Sequence, residues 1–328
     1  MRPDDVASVT TPGVTVTKLG FLSFDGVTQI KALMWSPSAG KSSTPRGIIQ
    51  IAHGMEEHIG RYAAFADYLA SLGYVVCAAD MVGHGKSAPD PEKLGCLPSN
   101  DGVKILVEDA NKLRKVIAER FSKKVPYFVF GHSMGSFLML AYISRYGEGL
   151  AGAILSGSGQ QPLLLSKLGG FFARRIAKSK GEDHKSAFLE NLGAGSYAKK
   201  IKGARTRFDW ISTDEAVVDA YSADPLSGVP FSAGGYITLT DLTALVAGTP
   251  NAAAIPKDLP ILFISGALDP VGKNGALVVK SAEHLRDAGV KQVDIILYEG
   301  MRHEVLNEPE KNRVYLDITQ WLESVLQR

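Results

Sequence analysis

Gly131-His132-Ser133-Met134-Gly135 follows the apolar run Tyr127-Phe128-Val129-Phe130, and residues 135–146 continue with helical spacing. The five residues match the G-x-S-x-G pattern in the setting that pattern needs, between a strand and a helix. The turn is tight, so side chains in place of Gly131 and Gly135 would collide with its flanks. The serine hydroxyl is lifted above the sheet edge, and the helix start behind it presents free backbone N–H groups to developing negative charge. As a bare pattern the motif recurs by chance in glycine-rich turns. The strand before it and the helix after it make Ser133 a candidate nucleophile, with Gly131, His132 and Gly135 shaping the elbow.

Outward from this elbow the chain alternates. A strand over 47–52 ends at His53-Gly54, and Phe65, Tyr68, Leu69 and Leu72 mark a helix face that Gly73 stops. A strand over 74–79 ends at Asp80; Leu106, Ala110, Leu113 and Ile117 mark another helix, and 151–155 reads as a strand. The rhythm lapses after Ser156 and resumes with a strand at 260–264, a helix over 275–288 and a strand at 294–297. Val314, Ile318, Trp321, Leu322 and Val325 give a closing amphipathic helix. The expected fold class is α/β: a mostly parallel central sheet with helices on both faces. Residues 1–157 and 231–328 form the expected core, and 158–230 a helical cap inserted between two late strands.

Composition narrows the function. Hydrophobic residues at 45% against 21% charged argue for a packed core rather than disorder. The 36 Lys+Arg and 34 Asp+Glu leave +2, which removes the usual electrostatic reason to propose a nucleic-acid partner. Cys77 and Cys96 cannot build a disulfide framework or a cysteine zinc site; a core thiol and a loop thiol point to a reducing compartment. The histidines show no metal-ligand spacing such as H-E-x-x-H, so neither metal nor cofactor is expected. Met1-Arg2-Pro3-Asp4-Asp5 lacks the start of a secretory signal, and no apolar stretch reaches the roughly 18–20 residues of a membrane span. A cytoplasmic protein is expected.

A serine hydroxyl needs a base, and the base an orienting acid. In this architecture they follow in the order Ser, Asp/Glu, His, each just beyond a strand end. Of the two histidines well beyond the insertion, His284 sits inside a helix, whereas His303 follows a strand and the turn Glu299-Gly300-Met301-Arg302. For the acid, Asp80 precedes the serine and Asp258 precedes its strand; Asp269 follows one, in Ala267-Leu268-Asp269-Pro270. Ser133, Asp269 and His303 are therefore the candidate triad. The backbone N–H groups of Met134, directly after the serine, and of Met55, in the loop after 47–52, are the candidate oxyanion donors.

Several segments resemble the monoacylglycerol lipase and lysophospholipase family of serine α/β-hydrolases. Phe21-Leu22-Ser23-Phe24-Asp25-Gly26 with Trp35-Ser36-Pro37 is similar to its first hairpin. His53-Gly54-Met55-Glu56-Glu57-His58 with Gly60-Arg61-Tyr62 is similar to its oxyanion loop, and Asp80-Met81-Val82-Gly83-His84-Gly85-Lys86-Ser87 to its next turn. Ser265-Gly266 with Asp269-Pro270-Val271-Gly272, and Arg302-His303-Glu304 with Asn307-Glu308, resemble its acid and base segments. The resemblance implies the α/β-hydrolase fold, the same triad and donors, no cofactor, and a small lipid ester as substrate.

Two departures stand out. Glu56 replaces an expected small residue, and 163–200 aligns with nothing in the family, although Phe208 to Pro225 again resembles its bacterial lysophospholipase branch. Ser212 and Glu215 are spaced as a capping box. Leu165, Leu168, Phe172 and Ile176 share one expected helix face, with Lys167, Arg174 and Lys178 elsewhere. That pattern suits either peripheral contact with a membrane or a cap helix burying its apolar side, and Gly169-Gly170 weaken a helix there. Alternative activities on the same triad are a thioesterase or shorter-chain carboxylesterase. An aminopeptidase would need a negative subsite, for which Glu56 and Glu57 could be cast. A binding module without catalysis would not need all three triad residues.

Overall fold

The computed structural model describes residues 6–11, 13–38 and 44–327; the reading of residues 1–5 as lacking a signal lies outside them. The strands are β1 (Val6–Thr11), β2 (Val14–Leu22), β3 (Gln29–Pro37), β4 (Ile48–Ala52), β5 (Val75–Ala79), β6 (Tyr127–His132), β7 (Gly152–Ser156), β8 (Ile261–Gly266) and β9 (Val293–Tyr298). They form one sheet in the order β1-β2-β3-β5-β4-β6-β7-β8-β9. Pairing is antiparallel from β1 to β3 and between β3 and β5, and parallel from β5 across to β9. The helices are α1 (Ala63–Ser71), α2 (Gly102–Ala118), α3 (Met134–Tyr146), α4 (Leu163–Lys180), α5 (Ala187–Leu192), α6 (Glu215–Ala223), α7 (Ala233–Val246), α8 (Thr249–Ala254), α9 (Ala276–Asp287) and α10 (Lys311–Leu326).

The inner strands β4, β6, β7 and β8 are buried at every position, as continuous apolar runs covered on both faces must be. Their side chains alternate between two cores. Ile48, Val129, Leu155 and Phe263 pack with Leu113, Ile117, Phe137 and Val278 from α2, α3 and α9. Ile49, Phe128, Phe130, Ile154 and Leu262 pack with Phe65, Leu69, Val314, Ile318 and Leu322 from α1 and α10. This is the α/β-hydrolase architecture expected from the sequence.

Between β7 and β8 the chain runs through α4 to α8. Here two expectations fail. α4 continues through Gly169-Gly170, and its buried stripe is Ser166, Gly170 and Ala173 rather than the large apolar residues. A Cβ on Gly170 would stand 3.0 Å from Thr240 Oγ1, so glycine lets α4 lie close along α7; Thr243 Oγ1 donates to Ser166 Oγ at 3.0 Å in the same seam. Phe172 and Ile176 reach the core, but Leu165 and Leu168 are turned outward, 60% and 50% exposed. The expected capping box is also replaced: Asp214 is the N-cap of α6 and accepts from Ala216 N, while Ser212 donates to Glu308 and Glu215 pairs with Arg205.

Candidate active site

The elbow joins β6 to α3, with Ser133 at φ 52°, ψ −120°. Its two glycines are required by contact. A Cβ on Gly131 would come within 2.3 Å of the Gly135 carbonyl oxygen, and one on Gly135 within 2.1 Å of Ala52 O. Ser133 N donates to Ser156 O at 2.9 Å, tying the turn to the end of β7.

The loops after β8 and β9 bring Asp269 and His303 together. A Cβ on Gly266 would lie 2.0 Å from Arg302 O, so the two loops touch backbone to backbone. Asp269 is fully buried; its Oδ1 accepts from Val271 N at 2.8 Å, and its Oδ2 stands 2.9 Å from His303 Nδ1. The Nε2 of His303 is buried and makes no hydrogen bond, so no Ser133–His303 bond is formed in this state. Such bonds often tighten only with substrate present. A Cβ on Gly157 would stand 2.8 Å from His303 Cε1, and one on Gly54 would stand 3.1 Å from Ser133 Cβ. The elbow, His303 and the loop after β4 thus converge beyond the C-terminal ends of the parallel strands, where open α/β sheets place their ligands.

Electrostatics separates two neighbouring imidazoles whose rings lie 4.7 Å apart. Burial alone would lower the pKa of His303, but the charge and hydrogen bond of Asp269, with Glu304 and Glu57 behind it, raise it above the usual 6.5. Burial, helped by His303, pushes His132 down to about 3. One ring is prepared to accept a proton and the other stays neutral.

His53 shapes the loop after β4, which carries Met55. Its Nε2 lies 3.0 Å from Met81 N, a group that can only donate, so Nδ1 carries the hydrogen and donates to Gly54 O at 2.7 Å. Burial lowers His53 to about 4, which keeps this tautomer neutral. The Gly54 carbonyl shares its peptide plane with Met55 N–H. The Met55 side chain packs against the cluster of Trp210, Ile211, Val218 and Tyr221 from the chain between β7 and β8, and Trp210 stands against His303 with ring centroids 5.0 Å apart.

Sequence reasoning missed the ionic network beneath this loop. Arg61 bridges Glu57 and Glu304, and all three side chains are at most 11% exposed. Glu57 also accepts from Gly54 N and, at 2.7 Å, from Tyr62 OH. Glu308 takes Arg302 N at 2.6 Å and Thr213 N at 3.0 Å, joining the His303 loop to the segment before α6. The available signal was the i,i+4 spacing of Glu57 and Arg61.

Residues 43–310 match the sequence profile of the Hydrolase_4 family, described as serine aminopeptidase, S33. A monoacylglycerol lipase of Mycolicibacterium smegmatis is 31% identical over 315 residues, covering 93% of this chain and 97% of that protein. A monoglyceride lipase of Rattus norvegicus is 28% identical, covering 88% and 84%. Among solved structures, a thermostable carboxyl esterase from Bacillus coagulans in complex with glycerol superposes with a TM-score of 0.86 at 34% identity, covering 95% of this chain and 99% of its own.

Proposed function

This chain belongs to the Hydrolase_4 family and is a carboxylic ester hydrolase related to the monoacylglycerol lipases, and from that premise we propose that it cleaves the acyl ester of monoacylglycerols or lysophospholipids. Ser133 attacks the ester carbonyl as His303 Nε2 takes its proton, and Asp269 holds Nδ1–H and the imidazolium that forms. Met55 and Met134 N–H groups receive the oxyanion. His303 returns the proton to the leaving alcohol, and water repeats the sequence on the acyl-enzyme. The observation that carries this reading is the buried Asp269–His303 pair at 2.9 Å beside the elbow, with Nε2 unengaged. Fatty-acid release from a long-chain monoacylglycerol, a lysophosphatidylcholine and a short-chain nitrophenyl ester tests it. Turnover of the long-chain substrates identifies the head group; turnover of the short ester alone replaces the lipid reading with a general esterase.

The raised pKa of His303 fixes one expected pH effect. Only neutral imidazole accepts the serine proton, so kcat/KM falls as pH drops, with its midpoint above 6.5. A midpoint below that value contradicts the raised pKa that Asp269 gives His303.

The peptidase reading needs a free carboxylate for a substrate amine. Glu57 is committed to Gly54 N, Tyr62 and Arg61, and Glu56 is buried at 5% exposure, away from a solvent-borne amine, which favours the ester. Aminoacyl nitroanilides are expected to remain uncleaved.

The outward face of α4 bears on how substrate arrives. Leu164, Leu165, Leu168 and Phe171 are 50–79% exposed, with Phe188 and Leu192 of α5 exposed as well. Lys167, Arg175 and Lys178 lie on the same helix, whereas Arg174 is held by Asp241. No helix among the described residues is long and apolar enough to cross a membrane. The proposed contact is peripheral, with α4 resting on an anionic bilayer. Leu164→Gln with Leu168→Gln is expected to weaken vesicle binding by about tenfold or more, from the apolar area withdrawn. Unchanged co-sedimentation with anionic vesicles overturns this contact.

A further inference from the structure

Glu56 is a glutamate in a place that suits glycine. Its φ is 58°, a left-handed conformation disfavoured by a β-carbon, and the residue is 5% exposed directly after Met55. Its backbone carbonyl accepts from two cap groups, Gly228 N at 2.8 Å and Tyr221 OH at 2.7 Å. Its carboxyl is buried beside that of Glu190 on α5 and the backbone N–H of Phe231, and its Oε1 has no hydrogen-bond partner. The groups facing it are Glu190, Arg207 before α6, Tyr221 of α6 and Tyr236 of α7. Arg207 Nη2 binds Glu190 Oε1 at 3.1 Å, and Tyr236 OH donates to Glu190 Oε2 at 2.8 Å. Two buried carboxyls therefore face one cation. With Glu190 paired to Arg207, a proton on Glu56 relieves the repulsion between the two buried carboxyls and supplies a donor for a hydrogen bond between them.

We propose that Glu56 is a positioning residue: by sharing one proton with Glu190 it latches the oxyanion loop to the cap and holds Met55 N–H toward the reacting carbonyl. This rests on the reading of Met55 as an oxyanion donor. Losing the proton sets two carboxylates against each other and releases the loop from α5. Burial, then the charge of Glu190, raises the pKa of Glu56 well above 4.5, so the latch holds at low and intermediate pH and fails on the alkaline side. An oxyanion donor acts on the transition state, so the loss falls on kcat rather than KM.

The test compares wild type with Glu56→Gln, whose amide supplies the bridging hydrogen at every pH, and with Glu190→Gln, which leaves the oxyanion loop sequence intact. Ester kcat and KM and the Tm are followed across pH. On the alkaline side wild-type kcat is expected to fall by about tenfold per pH unit as one proton is lost, and both variants to lack that limb. A carboxyl that binds a proton on folding loses stability as pH rises from its unfolded pKa to its native one. The Tm advantage of the variants is therefore expected to widen with pH. Superimposable pH–kcat shapes overturn the proposal, even with a widening Tm gap, because the pair would then be structural only. A constant Tm gap overturns the shared proton itself. Failure of the triad reading shows separately, as wild-type rates in Ser133→Ala, and leaves the Tm comparison readable.

Discussion

Ser133→Ala is expected to lower kcat for ester hydrolysis by about 10⁶-fold, leaving only the residual rate that oxyanion donors and binding supply. The substitution removes one hydroxyl and little else. The hydrogen bonds that build the elbow use the backbone of Ser133: its N donates to Ser156 O, and its carbonyl accepts from Ser136 N and Ser136 Oγ. Alanine keeps all of them and bears a similar cost at positive φ. Unfolding free energy should therefore stay within about 0.5–1 kcal/mol of wild type. Initial rates and thermal denaturation on the same preparation separate the effects. A variant within tenfold of the wild-type rate would exclude Ser133 as nucleophile.

The largest effect on stability is expected at Arg61. Its guanidinium lies between the Glu57 and Glu304 carboxylates and 4.6 Å from the centroid of the Tyr221 ring. Arg61→Met leaves both acids buried without their cation, a defect that costs about 3–5 kcal/mol. Replacing both acids as well, with Glu57→Gln and Glu304→Gln, is expected to recover much of that loss, because the penalty comes from the stranded charges. Urea unfolding of the single and triple variants measures both. Because Glu57 also holds Gly54 N, Arg61→Met should slow turnover in the fraction that remains folded. A single variant as stable as wild type would mean that the network adds nothing to the fold.

How far the sequence could be read depends on the range of each interaction. β4, β6, β7 and β8 were legible because strands buried on both faces must be apolar throughout. The meeting of Asp269 with His303 was legible because chain order and strand ends restrict where the two segments can meet, and the fold brings the side chains to 2.9 Å. The orientation of α4 was not. The large apolar residues marked the face of Leu165 and Leu168 without deciding whether it is buried, and Ser166, Gly170 and Ala173 took the buried side by allowing close approach to α7. The start of α6 was misplaced because Ser212 and Asp214 are both good caps, and Glu308 claims the first of them from outside the local sequence. The Glu56–Glu190 contact joins residues on opposite sides of the elbow in the chain. Glu56 stood out as a departure, but its partner emerges only from the tertiary structure.

The central claim is that Ser133 carries the acyl group, and covalent trapping tests it most directly. The protein is treated with a long-chain alkyl fluorophosphonate, its intact mass is measured, and the modified peptide is sequenced. The expected result is one adduct per chain, located on Ser133, with loss of ester turnover in proportion to labelling. An adduct at another residue, or full turnover in the labelled protein, would contradict it.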